Sequence, residues 1–327
     1  MITALQPSVN LPGPADTIGA GLVSMGGRLN IYLSVPTAAA SEQLASEALK
    51  TEALKLIAQV LQRVNRWAAY LTRHHPGSDL SLLNTDLRVE IPLRPTITAA
   101  FEAAREAAHL SGGLVDITLL DARLAAEGQA EPPNFVGSSA WRLERRARGA
   151  GLLHRPVGLH FDLDGIGKGW LADRALNLLA GRGGVLVDAD GDLAVRCAPG
   201  QVWEIGVDDP RNLQTNLAIL HLRSKSDLPS NYGVATSGTS IHHWQLAGQT
   251  THHLIDPQTG RSAQTDVVQA TVIAGSALRA EALAKAAVIA GSLEGFALLE
   301  KAQPYGAILL TASGEVLALP QTLTFLA

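Results

Sequence analysis

The chain is short of four things, and each shortage excludes a class of protein. It has one cysteine, Cys197, in 327 residues; an internal disulfide or multi-thiolate metal site is ruled out, which fits a reducing compartment. Charge of one sign is missing too. The net charge is −4 and the Lys and Arg residues are scattered, so the basic stripe of a nucleic-acid binder is absent. No uninterrupted apolar run approaches the roughly 18 residues of a membrane helix. The opening MITALQPSVNLPGPADTIGAG has neither a basic n-region nor an unbroken apolar stretch. These absences lead us to expect a cytoplasmic chain with no membrane span and no nucleic-acid partner. Aromatic residues make up 4%, which leaves Ala- and Leu-rich helices to supply much of the core.

What is present suffices for one large or two intimately packed domains, with 46% hydrophobic and 17% charged residues. LVSMGGRLNIYL (22–33) reads as a strand with a tight Gly26-Gly27 feature. From Ser41, a plausible N-cap, apolar residues from Leu44 through Leu56, Val60, Val64 and Trp67 to Leu71 recur every three or four positions, predicting a long helix. A second helix should run from Pro95 to the Gly112-Gly113 stop. Residues 121–150 are the least patterned. VGLHFDLDGIGKGWLADRALNLLAGRGGVLVDADGDLAV (157–195) reads as strand, glycine turn, helix, glycine stop and strand. WEIGVDDP, LAILHLR and GVATSG look like short strands and turns; TDVVQATVIAG is a strand and SALRAEALAKAAVIAG (276–291) a helix. Strands both adjacent and alternating with helices predict an α+β fold, with mixed or antiparallel sheets flanked by helices.

Four segments carry chemistry. GIGKG (165–169) opens a helix, where backbone N–H groups and the positive dipole end suit a phosphate, and Lys168 adds a point charge. It has neither the Walker Ser/Thr nor the dinucleotide spacing, and a plain tight turn is the alternative. Asp162 and Asp164 flank it, placed to orient a ribityl hydroxyl, a ring N–H or a metal, or else to form the turn. In HHLIDPQTG (252–260), only one of His252 and His253 can face a given site on an extended segment. That one is a candidate general base; a surface histidine beside a structural turn is the alternative. The doublets His74-His75 and His242-His243 lack the helical spacing of a zinc site. GVATSGTS (233–240) lacks the G-x-S-x-G elbow of a serine hydrolase. GGLVDIT (112–118) places Asp116 and Thr118 after a double glycine that lets a flat ligand approach backbone.

In order, SMGG (24–27), SDLSLLN (78–84), GGLVDIT, DLDGIGKGWLAD (162–173), VDADGDLAV (187–195), GVATSG (233–238), HHLIDPQTG and AEALAKA (280–286) resemble the ApbE family of flavin transferases over most of the chain. That family moves FMN from FAD onto a Thr or Ser hydroxyl of a target flavoprotein and releases AMP. The resemblance implies one ApbE-like domain over 1–327, built as a single unit or as two intimately packed lobes with the FAD site between them. It implies that Met25 lies against the flavin, and that Leu114, Val115, Asp116, Asp162, Lys168 and the Ile255 backbone bind FAD. His74 stands where relatives often place a stacking aromatic, and His253 is the implied base.

The family also implies Mg²⁺, held by a backbone carbonyl at Gly165 and by a carboxylate and a hydroxyl four residues apart on the late helix. Here those two positions are Glu281 and Lys285. A protonated lysine has no acceptor and cannot ligate. On an exposed helix the two would form an i, i+4 salt bridge worth about 0.2–0.5 kcal/mol. Three readings stand: a displaced Mg²⁺ on Gly165 and Glu281, a Lys285 ammonium in the metal's stead, or a site that binds flavin without transferring it. Asp190-Gly191-Asp192 replaces the common GGD, adding a carboxylate that is either an extra ligand or a repulsion for the pyrophosphate. The alternatives to a transferase are a non-catalytic FAD carrier, an FAD pyrophosphatase with water as acceptor and, more distantly, a generic metal hydrolase.

Overall fold

The computed structural model describes residues 17–24, 26–34, 43–131, 140–212, 214–224, 230–240, 242–246 and 248–326. The chain begins with β1 (Thr17–Ser24) and β2 (Gly27–Ser34), followed by α1 (Gln43–Leu71), α2 (Asp79–Thr85), β3 (Glu90–Leu93), α3 (Pro95–Leu110) and α4 (Leu120–Ala126). Then come β4 (Arg142–Arg145), β5 (Gly151–His154), α5 (Gly167–Leu178), β6 (Val185–Ala189), β7 (Asp192–Arg196), β8 (Val202–Asp208) and β9 (Asn216–Arg223). The rest is β10 (Asn231–Gly238), β11 (His243–Leu246), β12 (Gln249–His252), β13 (Ile255–Asp256), β14 (Arg261–Ser262), β15 (Val267–Ala274), α6 (Ala277–Ala302), β16 (Gly306–Thr311) and β17 (Val316–Ala318).

The expected α+β class holds. One antiparallel sheet of eight strands, in the order β1-β2-β6-β7-β10-β15-β16-β17, follows the chain order, and every other element is an excursion inserted between neighbouring strands. Period-2 alternation assigns its faces. Ile31, Leu33, Val185 and Val187 join the core with α1, α3 and α5, while Tyr32, Leu186 and Ile273 face the β8-β9 hairpin through Trp203, Ile205 and Leu220. Ala270, Val272 and Ala274 pack on α6.

Helix α6 contains an 18-residue window of mean hydropathy 1.6, long and apolar enough to cross a membrane by those measures. Its N-terminal half packs on β10, β15 and α5, where Leu278, Leu283 and Val288 are buried, while Leu293 beyond it is exposed. At Gly291 (φ 85°, ψ 176°) the helix breaks where the sequence placed its end. The Asp266 carboxylate then accepts from Ser292 N–H at 2.8 Å and caps the remainder.

Helices α5 and α6 cap one another. The N-cap of α5 is Ile166, whose side chain offers no acceptor, and the orphan N–H of Gly169 donates instead to Glu281 Oε2 at 2.9 Å. In return Asp173 accepts from the first amides of α6, Ala277 N at 2.9 Å and Leu278 N at 3.0 Å. A Cβ on Gly169 would lie 2.7 Å from Ala277 O and 2.8 Å from Glu281 Oε2, so only glycine permits this approach.

Three local expectations are corrected. Residues 22–33 form not one strand but the β1-β2 hairpin, turning at Gly26 (φ 76°). Likewise 187–195 is the β6-β7 hairpin, with Asp190 (φ 58°) and Gly191 (φ 93°) in its turn. The segment before α5 is no strand, because its polar backbone is satisfied elsewhere. Asn84 imitates a neighbouring strand by donating to Phe161 O and accepting from Phe161 N, both at 2.8 Å, and Asp162 N donates to Ile117 O. Ser41, the expected N-cap of α1, lies outside the described residues.

The tightest seam is Gly233, where an added Cβ would sit 2.0 Å from the Ser276 carbonyl carbon at the N-cap of α6. Gly233→Ala is expected to destabilise by at least about 1–3 kcal/mol, read as a lower urea midpoint. A midpoint equal to wild type would contradict the packing.

Candidate functional site

The excursions meet in a cavity of about 490 Å³, within the range of small-molecule sites. Its wall takes Thr236, Ser237 and Gly238 from the end of β10, Leu114–Leu119 from the loop after α3, and Asp162 to Lys168 from the start of α5. His253, Leu254 and Ile255 link β12 to β13 along another side. Glu281, Lys285 and Ile289 form an i, i+4, i+8 stripe of α6. The structure thus brings His74, Leu114, Val115, Asp116, Asp162, Gly165, Lys168, His253, Ile255, Glu281 and Lys285 to one place. Met25 lies outside the described residues, and its neighbour Gly26 lines the cavity.

The His252-His253 doublet divides as a strand must. His252 is buried and pinned: Nε2 lies 3.0 Å from Ala263 O, Nδ1 accepts from Leu254 N–H, and its backbone brackets Ser262 Oγ. His253 faces the cavity, its ring 5.4 Å from that of His242 and edge-on to it, with a buried Nδ1 that has no hydrogen-bond partner among the described residues. Burial, then the charges of Lys285 and Arg123, push its pKa down to about 3. The ring is therefore neutral and able to accept a proton throughout the physiological range.

On the opposite wall two arginines meet three carboxylates. Glu127 Oε1 accepts from Arg73 Nη2 and Arg123 Nε, both at 2.8 Å. Arg73 Nε lies 3.4 Å from Asp164 Oδ2 and 3.6 Å from Asp162 Oδ2. Burial and the adjacent Asp164 charge push Asp162 up. Burial would raise Asp164 as well, but His74, 3.7 Å away, and both guanidiniums outweigh it and hold Asp164 low. Asp116 serves its own loop, accepting from Thr118 N and Oγ1 at 2.8 Å.

The expected exposed bridge between Glu281 and Lys285 is instead buried. Lys285 Nζ stands 2.6 Å from Glu281 Oε1, with side chains 14% and 1% exposed. Both Glu281 oxygens are thus engaged, one by Lys285 and one by Gly169 N–H. This donor set does not fit Mg²⁺, which needs several hard oxygens in near-octahedral array; the position four residues on holds a cation that cannot ligate. Among the described residues no group of three or more His, Cys, Asp or Glu side chains is arranged for a metal. Asp190 is not a free repulsive charge, since Lys168 Nζ donates to its Oδ2 at 2.8 Å. Burial and the charge of Glu281 push Asp192 well up.

Arg73, Arg123, Glu127 and Trp244 also line the cavity and escaped the sequence reading. Arg123 and Glu127 had a signal, an i, i+4 pair inside the stretch taken as patternless. Trp244 is carried by the β11-β12 hairpin, which rests on α4 through Thr251 Oγ1 donating to Ala126 O at 2.8 Å.

Comparisons with known proteins follow the same outline. A model described as the ApbE family matches residues 25–309. The FAD:protein FMN transferase of Vibrio cholerae is 28% identical over 311 residues, 89% of this chain and 86% of that protein. A Salmonella typhimurium protein of the same name is 34% identical over 128 residues, 38% of this chain and 35% of its own. Among solved structures, the ApbE protein of Thermotoga maritima aligns with a TM-score of 0.76 at 20% identity, over 94% of this chain and 99% of that one. The Vibrio cholerae flavin transferase ApbE aligns with a TM-score of 0.68 at 22% identity, over 95% and 100%.

The depressed His253 pKa sets a sign for acid sensitivity. Between about pH 6.5, the ordinary histidine value, and about 3, the unfolded chain holds a proton on this residue that the folded chain does not. Its contribution to stability therefore rises with pH across that window. His253→Gln should lose less stability than wild type as pH falls from 7 to 4.5, measured by urea unfolding at each pH. Parallel losses would show that the ring is not held neutral.

Proposed function

Since the chain belongs to the ApbE family, we propose that it transfers FMN from FAD onto a hydroxyl of an acceptor flavoprotein, with release of AMP. One observation carries the reading: the neutral His253 ring shares a single cavity with Lys168, Lys285 and the flavin-contacting segments that the family resemblance implies. Buried Val115 and Ile255 offer apolar wall to a ring system. Lys168, in the first turn of α5, offers charge to phosphates.

The chemistry follows from these positions. A Thr or Ser hydroxyl of the acceptor attacks the phosphorus on the FMN side of the pyrophosphate, and His253 takes the hydroxyl proton. In the free protein Lys285 and Arg123 depress the basicity of His253. Arriving phosphates oppose both charges and so favour the protonated ring, against the burial that is the larger cause of its low pKa. AMP departs with the bridging oxygen, and developing charge there is met by cationic side chains.

The test is to incubate the protein with FAD and a Thr-bearing acceptor peptide, following peptide mass and AMP. The expected result is a peptide heavier by FMN with AMP released, and turnover lower by about 10²–10⁴ in His253→Ala. Unchanged turnover in that variant removes the base. AMP without labelled peptide makes water the acceptor, and FAD bound without either product sinks the transferase reading.

A further inference from the structure

Lys285 occupies an unusual position for a lysine. Its side chain is 14% exposed, it lines the cavity, and among the described residues its one hydrogen bond runs to Glu281 Oε1 at 2.6 Å. Glu281 is itself immobilised. It is fully buried in the close α5-α6 seam, and its second oxygen accepts from Gly169 N–H at 2.9 Å. Glu281 therefore acts as a fixed arm that sets Nζ at the cavity wall. One of three N–H donors serves that arm, which leaves two for a ligand.

Its neighbours say what kind of ligand. The charge of Lys285 is felt at His253, the proton acceptor, and at buried Asp192, where the charge of Lys168 is felt too. Lys168 from α5, Lys285 from α6 and His253 from between β12 and β13 all line this cavity. A divalent cation seated on Glu281 would have to displace Nζ and lie against a charge of its own sign.

We propose that Lys285, positioned by Glu281, is the cation that faces the FAD pyrophosphate, and that it serves there without a divalent ion. The inference rests on the FMN-transfer reading for its chemical step. In that step an O–P bond forms between the acceptor hydroxyl and the FMN phosphorus, and the proton passes to His253. The P–O bond to the bridging oxygen breaks with its electron pair remaining on AMP, where Nζ balances the charge.

Flavin fluorescence with the full chain tests the contact separately from turnover. Affinity for FAD should agree within about twofold in chelator and in Mg²⁺, and Lys285→Met should weaken it at least about tenfold. Riboflavin, which has no phosphate, should bind wild type and Lys285→Met alike, which also reports that the variant folds. Lys285→Arg should restore much of the FAD affinity. The proposal is overturned if chelation weakens wild-type FAD binding more than about tenfold and Mg²⁺ restores it, or if Lys285→Met binds FAD as wild type does. In the transfer assay wild type should turn over equally in chelator and in Mg²⁺, with Lys285→Met slower by about 10²–10³. Transfer that requires Mg²⁺ overturns the proposal and leaves the transferase reading standing. If FAD binding behaves as expected yet no acceptor is labelled, the transferase reading fails and the Lys285 contact stands.

Discussion

The cavity depends on the reciprocal capping of α5 and α6. Two helices whose N-termini meet would ordinarily oppose their positive ends, and four amides at each end need acceptors. Asp173 and Glu281 place a carboxylate against each set, so that the repulsion becomes two charge-assisted contacts. Such hydrogen bonds to charged groups contribute about 1.5–3 kcal/mol each. Burial works the other way on Asp173, pushing its pKa up to about 6, with the amides pulling it back. The seam also aims Glu281, and Glu281 aims Lys285, so a packing constraint between helices fixes a charge at the cavity wall.

The cavity is lined by four Lys or Arg side chains and seven Asp or Glu side chains. Each of the four cations meets a carboxylate, Arg73 and Arg123 at Glu127 and the two lysines at Asp190 and Glu281. Pairing of this kind keeps long side chains in set positions before any ligand arrives, and the reorganisation otherwise demanded at binding is avoided. An incoming pyrophosphate then competes for lysines already held in place.

The sequence was legible where the physics is local. Helix α3 runs between its proline and its double glycine, and the break in α6 falls at Gly291 because a positive φ there suits only glycine. Strand alternation predicted that only one of His252 and His253 faces the site, and the family resemblance pointed to His253. What escaped was set by distant partners. Phe161 looks like strand, yet its hydrogen bonds go to a side chain 77 residues away. The Glu281-Lys285 spacing predicted the bridge but not its burial, which depends on Gly169, 112 residues from Glu281. Arg73 and Arg123 share no motif; they meet on Glu127, the residue that follows α4.

The sheet keeps its strands in chain order, but long excursions separate neighbours. Ser34 bonds Gly184 across 150 residues, and everything from α1 to α5 lies between them. Closing so large a loop before its contacts exist is entropically slow. During synthesis the β1-β2 hairpin must wait beside an unfinished neighbour until β6 has left the ribosome. Gly26 and Asp190, from the turns of the two hairpins thus joined, both line the cavity. Ligand binding therefore reports that two hairpins far apart in the chain have found each other.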